Sequence, residues 1–270
     1  MAIVNRTPDS FYDAGATFAL DAALARADEA VARGAEIIDV GGVKAGPGEE
    51  VTPAEETERV APLIDALRGR HPDVSISVDT WRAEVAEAAI AAGADLINDT
   101  WAGYDPELAE VAGHHRVGYV CSHTGGATPR TRPHRVHYDD VVGDVIAETT
   151  RLAERAASLG VPEDRVFIDP THDFGKNTFH GLEILRHVDR LVDTGWPVLM
   201  ALSNKDFVGE TLGRGVGERV AGTLAATAWC AARGVAAFRV HEVAETVDVI
   251  RMTEAIAGRA RPLATVRGLA

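Results

Sequence analysis

The sequence predicts a single (β/α)₈ barrel, and three observations carry the prediction. Short β-rich runs alternate with alanine-rich amphipathic stretches along the whole chain. Helix, glycine and strand recur as one unit, and eight strand–helix pairs can be counted. The length, 270 residues, is slightly above the ~250 usual for such a barrel. An open dinucleotide-binding sheet would carry a glycine-rich fingerprint after its first strand, and none follows residue 5. Residues 1–270 therefore read as one domain.

The first strand candidate, residues 2–5, leads to a helix over 20–33 that Gly34 stops. Strand 36–40 is followed by helix 53–67. That helix opens on Thr52-Pro53-Ala54-Glu55, with Pro at the first helical position, Thr52 as cap and Glu55 three residues on. Strand 74–79 leads to helix 82–92 and Gly93, and strand 96–98 to helix 106–114. Strand 118–121 leads to helix 139–159 and Gly160, and strand 166–169 to helix 181–193, stopped near Gly195. Strand 198–202 leads to helix 218–233 and Gly234, and strand 236–240 to the last helix, 243–256. Glycine just past a helix is the common left-handed stop.

Composition narrows the function classes. Hydrophobic residues make up 46% and charged residues 25%, as in ordinary soluble domains. A net charge of −14 disfavours non-specific binding to nucleic acid or an anionic membrane. No apolar run approaches the ~20 residues that span a bilayer. Cys121 and Cys230 form no spaced motif, and Met1 leads directly into a strand, so a cytoplasmic location is expected.

The polar residues fall where a barrel builds its site, at the carboxyl ends of the strands. Asn5 closes the first strand, Asp79 the third, Asn98 the fourth and Asp169 the sixth. The seventh runs into Ser203, Asn204 and Lys205, and the eighth ends in Arg239 and His241. Any one could be a simple cap or turn former, and Asp99 reads as one. Together at one rim they point to a ligand. Two carboxylates, an amide, a lysine and an arginine suit a flat heterocycle with an amidine-like edge. Lys205, Arg239 and His241 lie after strands seven and eight, where such barrels often hold phosphate. Arg239 adds a planar fork for its oxygens, and its spacing puts His241 on the same side of an extended strand.

These motifs, taken in order, resemble those of the dihydropteroate synthase family over nearly the whole chain. They are Val4-Asn5-Arg6-Thr7-Pro8-Asp9-Ser10-Phe11, Ser77-Val78-Asp79-Thr80, Leu96-Ile97-Asn98-Asp99, Ile168-Asp169-Pro170 with Phe174-Gly175-Lys176, Ser203-Asn204-Lys205 and Arg239-Val240-His241. The family's reaction joins p-aminobenzoate to 6-hydroxymethyl-7,8-dihydropterin pyrophosphate. The resemblance implies that Asp79, Asn98 and Asp169 pair with the pterin edge, that Lys205 reaches the pterin, and that Arg239 stacks near its ring. It implies that Asn5, Arg239 and His241 hold phosphate, with Mg²⁺ bridging Asn5 and the pyrophosphate. Phe174 and Ser203 would border the p-aminobenzoate position, and the protein would be a homodimer. The apolar face of the last two helices, with Leu224, Trp229, Val247 and Ile250, is the candidate interface.

The loop after strand two departs from the family. Its usual Ser-Thr-Arg-Pro-Gly is replaced by Lys44-Ala45-Gly46-Pro47-Gly48, after Gly41-Gly42-Val43. The hydroxyl and guanidinium that cover the second substrate are lost, and Gly46 predicts a more mobile loop. Asn204 stands where the family generally has Arg, and Arg6 where a small apolar residue is common. The fifth loop keeps Thr128-Pro129-Arg130 and adds Arg132, Arg135 and His137, either a solvated basic loop or a relocated anion contact. The expected function is a diverged binder of pterin pyrophosphate or monophosphate, with condensation to p-aminobenzoate weak or lost. The alternatives are a working synthase with a rebuilt second loop and a non-catalytic pterin carrier or regulatory partner. A folate-dependent methyltransferase domain would share fold and pterin recognition, but Arg239-Val240-His241 disfavours it.

Overall fold

The computed structural model describes residues 1–7, 18–131 and 137–267. Residues 8–11 of the opening motif, and Arg132 and Arg135 of the fifth loop, lie outside the described residues. The elements are β1 (Ala2–Asn5), α1 (Leu20–Ala32), β2 (Ile37–Gly41), α2 (Pro53–Arg70), β3 (Ser75–Asp79), α3 (Ala83–Ala91), β4 (Leu96–Asp99) and α4 (Glu107–His115). They continue with β5 (Gly118–Ser122), α5 (Val141–Ser158), β6 (Val166–Asp169), α6 (Thr178–Arg186), α7 (Val188–Val192), β7 (Leu199–Met200), α8 (Asp206–Leu212), α9 (Val220–Ala231), β8 (Ala237–Phe238) and α10 (Val243–Ile256).

Strands β1 to β6 form a parallel ladder in sequence order, and β7 pairs with β8. Two parallel bridges close the ring: Ile168 with Val198 joins β6 to β7, and Ala2 with Val240 joins β8 to β1. The barrel expected from the sequence is thus complete. Strand alternation sorts its side chains. Ile38, Val40, Ile76, Val78, Ile97 and Ile168 face outward into one core with Leu63, Ile64, Leu67, Leu108 and Ile184 of the helices. Met1, Ile37, Leu96, Val120, Phe167, Leu199 and Ala237 meet inside as a separate apolar plug. One step further along the strands the inward positions turn polar, with Asp39, Ser77, Asn98 and Asp169 buried there.

The capping box at α2 is formed: Glu55 N donates to Thr52 Oγ1 at 3.3 Å, and Thr52 N to Glu55 Oε2 at 2.8 Å. Gly34 and Gly160 take the left-handed φ of +96° and +109° that their helix stops require. Three expectations need correction. The helix over 181–193 is two, broken at His187 (φ −113°, ψ 28°), and it starts earlier because Asn177 caps it. Helix α8 was not expected; seven residues make only about two turns, too few for a periodic signal. The ladders of β7 and β8 are shorter than the runs 198–202 and 236–240. Beyond them Arg239 N still donates to Met200 O at 2.9 Å, and the chain then diverges to line the rim.

Candidate functional site at the barrel rim

A cavity of about 330 Å³ opens at the carboxyl ends of the strands. Asn5, Asp79, Phe174, Ser203, Lys205, Arg239 and His241 all line it, so seven expected residues meet in one place. Asn98 and Asp169 do not line it; both are buried behind its wall. Val43, Lys44, Ala45 and Gly46 of the second loop form the opposite side.

The polar floor is organised by Arg239. Its Nε donates to Asp39 Oδ2 at 2.6 Å and a terminal nitrogen donates to Asp79 Oδ2 at 2.7 Å. Asp39 also accepts from Ser77 Oγ at 2.6 Å and Asn98 Nδ2 at 3.2 Å. The sequence reading missed Asp39, although alternation along β2 turns Ile37, Asp39 and Gly41 inward. A carboxylate with no solvent exposure needs a counter-charge and hydrogen bonds, and Asp39 has both. Burial pushes Asp79 up to about 7, against the pull of the Arg239 guanidinium. Asp169 is likewise raised by burial, opposed by the Thr171 N–H that donates to it at 2.7 Å. Asn98 Oδ1 is buried with no partner in the protein, an acceptor available to a ligand N–H.

The wall beyond the floor is built by loops. Ser203 Oγ donates to Glu242 Oε2 at 2.6 Å and accepts from His241 N at 3.2 Å. Asn204, at φ +57°, sends Nδ2 to Glu242 Oε1 at 2.6 Å. The residue at the family's arginine position is therefore buried and tied to a carboxylate. Lys205 Nζ lies 3.1 Å from Asp173 Oδ2 and 6.0 Å from the centre of the Phe174 ring. Lys176 is buried, and its Nζ donates to the carbonyls of His123 (2.9 Å), Thr171 (3.2 Å) and Phe174 (2.9 Å), joining the fifth and sixth loops. Burial draws its pKa down to about 7.

Besides Lys44, the second loop lines the cavity with Val43, Ala45 and Gly46. Val43 and Ala45 pack with Phe174 against Trp81, Trp101 and Ala127. Trp101 meets Phe174 edge to face at 4.7 Å and Trp81 at 6.4 Å. Gly46 predicts a loose loop, yet this one is fastened through its backbone. Arg130 of the fifth loop donates to Lys44 O at 2.6 Å and Glu49 O at 2.5 Å. Arg59 donates to Gly42 O at 2.9 Å, and Arg82 to Val51 O at 2.8 Å. Arg130 thus spends its fork on carbonyls. His137 is exposed, with Nε2 3.4 Å from Asp139 Oδ1.

Residues 1–241 match the model of a protein family described as "Pterin binding enzyme". The "Inactive dihydropteroate synthase 2" of Mycobacterium leprae (strain TN) is 64% identical over 274 residues, covering 100% of this chain and 94% of that protein. The structure of Mycobacterium tuberculosis Rv1207 is 52% identical with a TM-score of 0.75, covering 97% of this chain and 93% of that one. The dihydropteroate synthase of Xanthomonas albilineans, solved with 4-aminobenzoic acid, is 39% identical with a TM-score of 0.87, again covering 97% and 93%.

Proposed function

The chain belongs to the pterin binding enzyme family, and from that premise we propose a dihydropteroate-synthase-like protein that binds 6-hydroxymethyl-7,8-dihydropterin pyrophosphate or monophosphate and condenses it with p-aminobenzoate weakly or not at all. One observation carries this reading. The floor of the rim cavity keeps its hydrogen-bonding set, while the second loop presents Val43, Ala45 and Gly46, with neither hydroxyl nor guanidinium on those side chains.

In this proposal Asp79, Asn98 and Asp169 meet the pterin edge, with Asn98 Oδ1 as an acceptor, and the last two move to the ligand from behind the wall. Lys205 reaches the pterin and Arg239 lies against its ring. Asn5, Arg239 and His241 hold the phosphates. Phe174 and Ser203 border the second-substrate side. Condensation needs the amine held in line and the departing pyrophosphate stabilised. A loop without cationic or hydroxyl side chains at 45 and 46 supplies neither, so ground-state pterin binding survives better than turnover.

Magnesium ion fits here only as a companion of the pyrophosphate. Among the described residues no cluster of three His, Cys, Asp or Glu could hold a metal. Mg²⁺ commonly takes one or two protein oxygens and completes its shell with phosphate and water. Asn5 Oδ1, at the end of β1 against Gly41, is the oxygen that would hold it, neutralising the leaving group. We further propose a cytoplasmic homodimer of one-domain subunits. Cys121 and Cys230 are free and buried, and no described helix is long and apolar enough to cross a membrane. Of the expected interface, Trp229 is exposed, whereas Val247 and Ile250 pack on the core.

The test pairs calorimetry with pterin pyrophosphate and a turnover assay with p-aminobenzoate. Binding with turnover on the order of 10²–10³ below an ordinary synthase is expected. Ordinary turnover would favour a working synthase with a rebuilt loop, and no pterin binding would end the proposal.

A further inference from the structure

We infer that the ligand's arm, where it leaves the pterin toward the second loop, is an uncharged aromatic or apolar group rather than a benzoate. The inference rests on the pterin-binding reading above and concerns the other half of the same cavity. Two features of the wall carry it. Trp101, Phe174, Ala127, Val43 and Ala45 make one continuous apolar surface that suits a ring or an alkyl group. The edge-to-face contact of Trp101 with Phe174 leaves aromatic carbon for a third ring to meet.

The second feature is the charge beside that surface. A benzoate needs donors for its carboxylate, and Ser203, Lys205 and Arg130 are engaged. The Ser203 hydroxyl proton points to Glu242 Oε2 at 2.6 Å. A carboxylate arriving at Ser203 would find that proton already given to Glu242. Lys205 is paired with Asp173 at 3.1 Å, so its charge is already met by a carboxylate of the same cavity, and Asp206, also on the lining, is paired with Arg219 at 2.8 Å. Arg130 is committed to two backbone carbonyls. A carboxylate set against Ser203 and Lys205 loses water without gaining a fresh partner from either, which discriminates against it more strongly than lost attraction alone. Glu242, holding Ser203 and Asn204 together, is a positioning residue for this selectivity.

Three ligands test the inference by calorimetry at one salt concentration: 6-hydroxymethyl-7,8-dihydropterin, 7,8-dihydropteroate, and 6-anilinomethyl-7,8-dihydropterin, which is the second without its carboxylate. We expect the anilinomethyl compound to bind about tenfold or more tightly than dihydropteroate. Glu242→Gln should narrow that gap by helping dihydropteroate, and Trp101→Ala should narrow it by weakening the anilinomethyl compound. If Glu242→Gln does not fold, the wild-type comparison decides. Dihydropteroate binding as tightly as its decarboxylated analogue, or more so, would overturn the inference and point to Lys44 on the same wall as the receiver of the carboxylate. Binding of the hydroxymethylpterin with neither aryl compound would also overturn it while leaving the pterin reading intact. Failure of all three to bind would defeat the pterin reading and the inference with it.

Discussion

The floor and the lid of the rim cavity are held by opposite kinds of contact. On the floor, side chains hold side chains: Arg239 joins Asp39 to Asp79, and Asp39 gathers Ser77 and Asn98. Removing Arg239 strands the buried Asp39, and removing Ser77 or Asn98 takes a hydrogen bond from it. On the lid, side chains hold backbone: Arg130, Arg59 and Arg82 reach the carbonyls of Lys44, Glu49, Gly42 and Val51. Any residue supplies a carbonyl, so the identities at 44 to 46 can drift while the loop keeps its place. A site built this way can lose a substrate's chemistry at one end and keep recognition at the other.

The largest test of that contrast is Arg239→Ala. It should leave Asp39 buried without a counter-charge and destabilise the protein by ~3–5 kcal/mol in urea unfolding. It should also weaken pterin pyrophosphate by roughly a hundredfold. An unchanged dissociation constant would remove Arg239 from the ligand site. The converse experiment acts on the lid. Ala45→Thr with Gly46→Arg should raise turnover, by up to on the order of 10²–10³ if the loop is the sole defect. If the double variant stays inactive in the p-aminobenzoate assay, Asn204→Arg is the next change to make.

A smaller effect follows from Asp79, raised by burial to about 7. In the proposed function its ionised form would accept the pterin N–H groups, so affinity should fall as pH drops through about 7, approaching tenfold per pH unit. Calorimetry from pH 6 to 8 should show this slope, and Asp79→Asn should flatten it. In the free protein the sign reverses. The stability tied to Asp79 is fully present below its unfolded pKa and is lost as pH rises through about 7. The smallest change expected is in Arg130→Ala, which removes two backbone hydrogen bonds worth ~1–3 kcal/mol. Amide exchange over residues 43–49 should quicken markedly, and unchanged protection there would show that the loop is held by its aromatic contacts alone.

The parts of this molecule that repeat were legible in its sequence, and the parts that join distant segments were not. Helix stops such as Gly34 and Gly160, the Thr52 cap and the polar strand ends are local signals, because alternation and capping depend on neighbours a few residues away. They were enough to bring seven of the expected residues to one cavity. Asp39 escaped notice because it sits within a strand rather than at its end. Its partner Arg239 lies 200 positions away, and no local pattern announces such a pair. The bracing of the second loop was hidden for the same reason: Arg130 and Lys44 are 86 positions apart. Gly46 predicts freedom in that loop, and Arg130 ties carbonyls on either side of it.

The aromatic wall gives the protein a built-in optical reporter. The chain has four tryptophans. Trp101 lines the cavity and touches Trp81, whereas Trp196 precedes β7 and Trp229 lies on the outer face of α9. A reduced pterin absorbs near the wavelengths at which indole emits, so its arrival beside Trp101 should quench that emission by energy transfer and leave a steadier background from the two outer rings. Replacing Trp196 and Trp229 by phenylalanine would confine the signal to the cavity, and occupancy could then be followed in real time without a label.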